Sequence, residues 1–257
     1  MTKYTRTELL TVSASRLLED GKIVFAGVGI PLLASILAQK IHAPSLTIVV
    51  EGGAIAPEVA PRWVPLSTNE MRVARRALML PSITDLFLYA QRGFFDYGFL
   101  GAAQIDPYGN INTTVIGSLE RPRVRLPGSG GANDIASHCR EVIVVLPHEP
   151  RRFVKRVDFI TSPGYLSGGD SRRRAGLLFG GVRWVLTDLA LFRADPETGK
   201  LRLKALQAGV RLEDVEGCTG FPVEVDLPLE EILPPTEEEL RVLRELDWNR
   251  IFIGEAS

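Results

Sequence analysis

Apolar positions along the chain recur with two periods, one helical and one extended. In residues 6–19, Leu10, Ala14, Leu17 and Leu18 fall at helical spacing. They follow Thr5-Arg6-Thr7-Glu8, which has the Thr and Glu of a capping box, so this stretch predicts an amphipathic helix. KIVFAG (22–27) and LTIVV (46–50) read as short buried strands. Between them Pro31 opens the run LLASILAQ, a buried helix with proline near its first turn. Strand, helix and strand in that order favour a parallel sheet. Further strands are expected at 97–103, 141–146 and 184–187, and FRADPETGKLRL (192–203) as a hairpin turning at Asp195–Gly199. After the break ILPP (232–235), Thr236 caps a last helix with Leu240, Leu243 and Leu246 on one stripe. The pattern predicts an α/β fold. It is read as one domain over residues 1–257, with a mainly parallel open sheet flanked by helices and a helical tail from about 234 to 257.

Composition narrows the function classes. The chain is 45% hydrophobic and 24% charged with a net charge of −1, which gives no electrostatic case for nucleic acid or an anionic membrane. Cys139 and Cys218 are far apart and the three histidines are scattered, so no metal site is expected. MTKYTRTELL lacks the apolar core of a secretory signal, and the longest apolar stretch, Ala26 to Ala38, is broken by Gly and Pro. A cytoplasmic location is the expectation.

Five stretches carry candidate chemistry. Gly27-Val28-Gly29 lies between a strand and a helix, with Glu51 at the end of the next strand, as in a dinucleotide-binding unit. Leu32 stands where the third glycine would be, and a plain tight turn explains the two glycines equally well. Glu51 sits at the mouth of a buried strand, where ligands bind in open parallel sheets. It reads as a base or nucleophile, or as a structural carboxylate. Pro127-Gly128-Ser129-Gly130-Gly131 runs into Asn133-Asp134-Ile135, a junction whose N–H groups suit a phosphate or an oxyanion, or simply a turn. Gln104, Asn110 and Asn112 surround the turn Asp106-Pro107-Tyr108-Gly109-Asn110 and either bind a ligand or satisfy the loop backbone. The long 158–177 loop carries Arg172, Arg173 and Arg174, read as a phosphate contact, a solvated charge run or a subunit contact. No Ser or Cys can be paired with His42, His138 or His148 as a triad.

Taken in order, GVGIPLLAS, VVEGG, GAAQIDPYGNINTTVIG, GSGGANDIA, HEPRRF and VDFITSPG closely resemble the B subunit of the family I coenzyme A transferases, glutaconate CoA-transferases in particular. The likeness runs from about residue 5 to past 220. It implies the α/β sheet shared with some sugar-phosphate isomerases, and an active site shared with a related A subunit in a hetero-oligomer. It also implies that Glu51 is the catalytic nucleophile, with Gly130 and Gly131 as backbone oxyanion donors. Gly27, Gly29, Gly52, Gly53, Gln104, Asn110, Ala132 and Asn133 are then the substrate- and CoA-binding positions. No tightly bound cofactor is expected; coenzyme A is a substrate, linked covalently in passing. The resemblance implies transfer of CoA between an acyl-CoA and a carboxylic acid through an acyl-glutamyl anhydride and a glutamyl-CoA thioester. An acyl-CoA hydrolase or ring-cleaving relative, and a non-catalytic subunit, are the alternatives. Family members commonly read ESG or ENG where this chain has Glu51-Gly52-Gly53.

Overall fold

The computed structural model describes residues 3–60 and 62–254, so the ends of the expected 1–257 range and Pro61 lie outside the described residues. The chain divides into two compact units, one bounded by Met1–Phe99 and Pro234–Ser257, the other by Leu100–Leu233.

The first unit opens with α1 (Arg6–Ser15). Thr5 Oγ1 accepts the Glu8 N–H at 3.0 Å and Glu8 Oε2 accepts the Thr5 N–H at 2.8 Å, the capping box expected there. The helix is shorter than the expected 6–19. Leu17 and Leu18 donate three residues back, to Ala14 and Ser15, so the last turn tightens and leaves the α geometry. β1 (Ile23–Phe25), α2 (Ile30–Ile41) and β2 (Thr47–Val50) form the expected strand–helix–strand unit, with β1 and β2 parallel. β3 (Ala54–Ile55) folds back antiparallel onto β2, and β4 (Tyr97–Leu100), which follows α3 (Ile83–Gln91), pairs parallel with β1. The strand order is β3-β2-β1-β4. Every residue of α2 from Leu32 to Ala38 is buried, which is why its sequence shows little polar alternation.

The second unit begins with two small hairpins, β5 (Gln104–Ile105) with β6 (Ile111–Asn112), and β7 (Val115–Gly117) with β8 (Pro122–Arg125). Then come α4 (Ala132–His138), β9 (Glu141–Val145), α5 (Ser171–Arg174), β10 (Val182–Leu186), β11 (Ala190–Ala194), β12 (Leu201–Gln207), α6 (Leu212–Glu216) and β13 (Glu224–Ile232). The strand order is β9-β10-β11-β12-β13, parallel at its two outer pairs and antiparallel in the middle. The expected hairpin is β11–β12. Asp195 closes its turn by accepting the N–H groups of Glu197 and Thr198. The α/β class and the mixed, mostly parallel strand arrangement match the expectation.

The chain then returns to the first unit with α7 (Glu237–Leu246), which packs on α1 and α2. Leu240, Leu243 and Leu246 are buried, as the stripe predicts. The two capping carboxylates are tied crosswise. Glu8 of α1 accepts Arg244 of α7 at 2.6 Å, and Glu239 of α7 accepts Arg16, which follows α1, at 2.6 Å. Burial pushes both carboxyls up, but the arginines and the capping N–H groups outweigh it and hold them below the usual range.

Two buried basic side chains, Arg172 and His148, order the loops of the second unit. Arg172 is buried and meets no carboxylate; its guanidinium donates to the carbonyls of Pro163, Gly164, Ala136 and Phe179. Desolvation lowers its pKa to about 10, still well above neutrality. His148 stacks on Phe153 at 4.1 Å between centroids, with Thr187 Oγ1 and Thr219 Oγ1 each 3.0 Å from a ring nitrogen. Thr187 Oγ1 accepts the N–H groups of Leu189 and Ala190 and donates to the Ala190 carbonyl at 3.0 Å. Thr219 Oγ1 likewise donates to a backbone carbonyl, that of Val215, at 2.8 Å.

Burial pushes the His148 pKa down to about 4, against the opposing pull of Asp188. Between that value and the ordinary value near 6.5, the unfolded chain binds a proton that the folded chain lacks. Stability is therefore full above about pH 6.5 and is lost as pH falls toward 4, by about 3 kcal/mol from this group. Denaturant titrations of the wild type and His148→Gln at pH 7.5 and pH 4.5 should show this difference shrinking in the variant. An equal pH dependence in both would remove His148 as its source.

Candidate active site

In the first unit, β1 and β2 run side by side with Phe25 opposite Val49. Two residues further on, the same register brings Gly27 level with Glu51, beyond the carboxyl ends of both strands. α2 runs back from this edge, with Gly29 as its N-cap. Gly27, Gly29, Glu51, Gly52 and Gly53 thus share one edge, the edge where open parallel sheets bind ligands.

Ile48, Val49 and Val50 are buried, and Glu51 emerges half-buried from them. Among the described residues its carboxylate has no hydrogen bond or ion pair. A structural carboxylate at such a place would be bonded to a helix end or a cation. The turn is closed by the Gly53 N–H donating to the Val50 carbonyl at 3.0 Å, which starts β3.

The two glycines are required by what lies against them. A Cβ on Gly52 would overlap the carbonyl oxygen of Thr68 and stand 3.0 Å from Asn69 Oδ1. Gly53 has φ of +101°, and a Cβ there would overlap the carbonyl oxygen of Pro81. The space for a Ser or Asn side chain at position 52 is filled by the Thr68 carbonyl and the Asn69 side chain. Neither Thr68 nor Pro81 was singled out from the sequence. Their contact depends on how an irregular stretch of about fifteen residues loops back, which no periodicity encodes.

The second unit gathers three stretches that the sequence marked separately. Asn110 is buried with its amide fully used. Nδ2 donates to Asp106 and to the Leu166 carbonyl, and Oδ1 accepts the N–H groups of Gly164 and Leu166. Burial raises the Asp106 carboxyl, with the Asn110 and Tyr108 donors partly offsetting it. Gln104 bonds Asp158 and Asn112. Both amides therefore hold the loop, and Gln104 also lines a cavity of about 700 Å³ with Ile116, Arg123, Leu126, Arg152 and Val154.

Thr113 grips the Gly-rich run through paired bonds with Gly128, at 2.8 Å each way. Asn133 Nδ2 donates to the Thr161 carbonyl, and Ala132 N–H to the Ser129 carbonyl. The N–H groups of Gly130 and Gly131 have no partner among the described residues. Gly131 caps α4, and Arg172 binds the Ala136 carbonyl near the other end of that helix. Of the three loop arginines, the buried one is thus a fastener; Arg173 and Arg174 are exposed. No group of three or more His, Cys, Asp or Glu that could hold a metal occurs among the described residues. No helix among them is long and apolar enough to cross a membrane.

Comparison with known proteins gives a consistent answer. The family model for coenzyme A transferase matches residues 7–217. The B subunit of the 3-oxoadipate CoA-transferase of Pseudomonas knackmussii is 39% identical over 96% of this chain and 95% of its own. The B subunit of the glutaconate CoA-transferase of Acidaminococcus fermentans is 34% identical over 98% and 96%. The crystal structure of that organism's glutaconate coenzyme A-transferase superposes with a TM-score of 0.91 at 32% identity, covering 98% of both chains. The decarboxylase AibA/AibB superposes with a TM-score of 0.82 at 27% identity, covering 98% of this chain and 100% of that one. The chain belongs to the coenzyme A transferase family, as a member of its B-subunit type.

Proposed function

We propose that Glu51 is the nucleophile of a two-subunit enzyme that moves CoA from an acyl-CoA to a carboxylic acid. The observation that supports this is the half-buried Glu51 carboxylate, left without an internal partner at the carboxyl end of β2. The carboxylate attacks the acyl carbon of the donor, the C–S bond breaks, and CoA leaves as a thiolate from an acyl-glutamyl anhydride. The thiolate then attacks the glutamyl carbonyl, expelling the donor acid and leaving a glutamyl-CoA thioester. The acceptor carboxylate attacks that thioester to form a new anhydride, and the released thiolate takes its acyl group. A carboxylate suits this sequence because its anhydride and thioester keep the energy of the original thioester.

Each attack builds an oxyanion, for which the free N–H groups of Gly130 and Gly131 are the proposed donors. Gly27 and Gly29 border the Glu51 edge that the pantetheine arm would approach, and Gly52 and Gly53, packed on the Thr68 and Pro81 carbonyls, hold the turn that presents Glu51 to it. Ala132 and Asn133 continue the donor run. Gln104 and Asn110 act by shaping the loop. The proposed partner is a related A subunit, and the acid is of the glutaconate or 3-oxoacid type. The enzyme is expected to need no bound cofactor or metal and to work in the cytoplasm. A second reading, hydrolysis of the acyl-CoA on the same scaffold, is motivated by the absence of a side chain at position 52.

With the partner present, Glu51→Gln should lower transfer by on the order of 10³-fold or more. The wild type incubated with acyl-CoA should carry CoA on the peptide containing Glu51, seen by mass spectrometry. Full transfer by Glu51→Gln would refute the mechanism, and CoA release that is independent of an added acid would select hydrolysis.

Gly52→Ser should not behave as a harmless return to the commoner pattern. Displacing the Thr68 carbonyl costs about 2 kcal/mol, a drop in melting temperature on the order of 5 °C, and transfer should fall with it. A variant with wild-type melting and activity would show that the 67–69 segment yields freely.

A further inference from the structure

The loop that packs on the Glu51 turn brings an uncommitted polar side chain with it. Asn69 Oδ1 stands 3.0 Å from the place that a Cβ on Gly52 would take, so the Asn69 carboxamide lies against the residue that follows Glu51. Gly52 and Asn69 are both exposed, which leaves the amide open to an incoming ligand. The Asn69 backbone N–H donates to Ser67 Oγ at 3.3 Å, but Oδ1 and Nδ2 have no hydrogen-bond partner among the described residues. The loop itself is held. Glu70 Oε1 accepts the Leu66 N–H at 3.2 Å, Glu70 Oε2 accepts Arg72 at 2.7 Å, and Arg72 donates on to the Val64 carbonyl at 3.2 Å. Val64 and Val73, on either side of this stretch, are buried. A fixed loop thus presents a free amide, the reverse of Asn110, whose amide is spent on its own loop.

A carboxamide offers both donors and an acceptor without charge, and its natural complement is another amide. The CoA arm carries one close to its reacting end. When the sulfur is bonded to the Glu51 carbonyl, two methylene groups separate it from the first amide of the pantetheine arm, so that amide must lie close to the Glu51 turn. We infer that the Asn69 carboxamide hydrogen-bonds this amide and so registers the thiol against Glu51. The inference rests on the reading of Glu51 as the group the thiol meets, and it gives Asn69 a part in binding, not in bond making. Both polar atoms of Asn69 are free and a half turn about its last bond exchanges them, so it can serve the N–H or the carbonyl of the arm. A charged residue could not take this place without cost. A cation would pair with the Glu51 carboxylate and stabilise its resting state, and an anion would repel it. The neutral amide leaves Glu51 unpaired, as the structure has it.

The test assays the chain co-expressed with its A subunit on three thioesters of one acid, glutaconate or 3-oxoadipate, whichever the wild type turns over faster as its CoA thioester. The thiols are CoA, N-acetylcysteamine, which ends at the amide in question, and pentanethiol, which matches that length without the amide. Asn69→Ala should lower kcat/KM about 10-fold for the first two and less than about 2-fold for the third. Titration calorimetry with free CoA should show a loss of about 10-fold in affinity without any turnover. The melting temperature should stay at the wild-type value, because the side chain has no partner to lose. A merely structural part for Asn69 would lower all three thioesters alike, and that result, or no loss on any of them, overturns the inference. If Asn69→Ala leaves the preference for the amide intact while the wild-type Glu51 peptide carries CoA, the inference is wrong and the proposed function stands. If Asn69→Ala removes the preference but the wild type never carries CoA on that peptide, the part of Asn69 stands and the transfer mechanism is wrong.

Discussion

The Glu51 turn depends on backbone lying where side chains would otherwise be. The carbonyl oxygens of Thr68 and Pro81 occupy the Cβ positions of residues 52 and 53. This fixes the turn from outside while leaving the carboxylate unbonded. A turn held by side-chain hydrogen bonds would place donors beside Glu51, and donors bound to a carboxylate stabilise the charged ground state and make it a poorer nucleophile. Packing by backbone gives position without that penalty. The cost is intolerance: close-packed interiors accept an added methyl group badly, and here the opposing atoms are carbonyls with no rotamer to change.

The second unit solves the corresponding problem by the opposite means. Its loops are held by side chains whose polar atoms are almost all engaged. Asp106 and Asn110 staple the 106–110 turn to residues 164 and 166, while Thr113 clamps Gly128. Arg172 then joins the 163–164 and 179 carbonyls to the end of α4. Satisfied buried networks of this kind specify one loop geometry, because any shift leaves a buried group unpaired. The free N–H groups of Gly130 and Gly131 stand out against this background. In a region where the neighbouring donors are used, unused ones are available to a ligand.

How much of this was legible in the sequence differs by element. The capping box at Thr5, the cap at Thr236, the leucine stripe of α7, the β1–α2–β2 unit and the Asp195 turn all rest on local patterns, and the structure has them. The short hairpins β5–β6 and β7–β8 did not register, since two- to four-residue strands show too little alternation to read. The ionic cross-ties Glu8–Arg244 and Arg16–Glu239 join residues more than 220 apart in sequence, so no local rule reaches them. Arg172 looked like its neighbours Arg173 and Arg174, and only the fold separates a buried fastener from two solvated charges. The polar residues of the 104–114 stretch were rightly marked as a turn, but the sequence could not tell loop-satisfying amides from ligand-binding ones.

The LTIVVEGG stretch combines these lessons. Its strand, its acid and its glycines were visible at once, yet the glycines carried two meanings: room for a ligand, or room for the protein's own backbone. At Gly52 and Gly53 the structure assigns that room to Thr68 and Pro81 on the side where a Cβ would point. The open side of the turn is therefore the one bearing the Glu51 carboxylate, while its backbone side is occupied. A carboxylate that is half-buried yet unpaired forgoes the stability an ion pair or a helix end would give it, the usual signature of a site kept for chemistry. At position 52 the absence of a side chain and the presence of the Thr68 carbonyl are thus one structural feature.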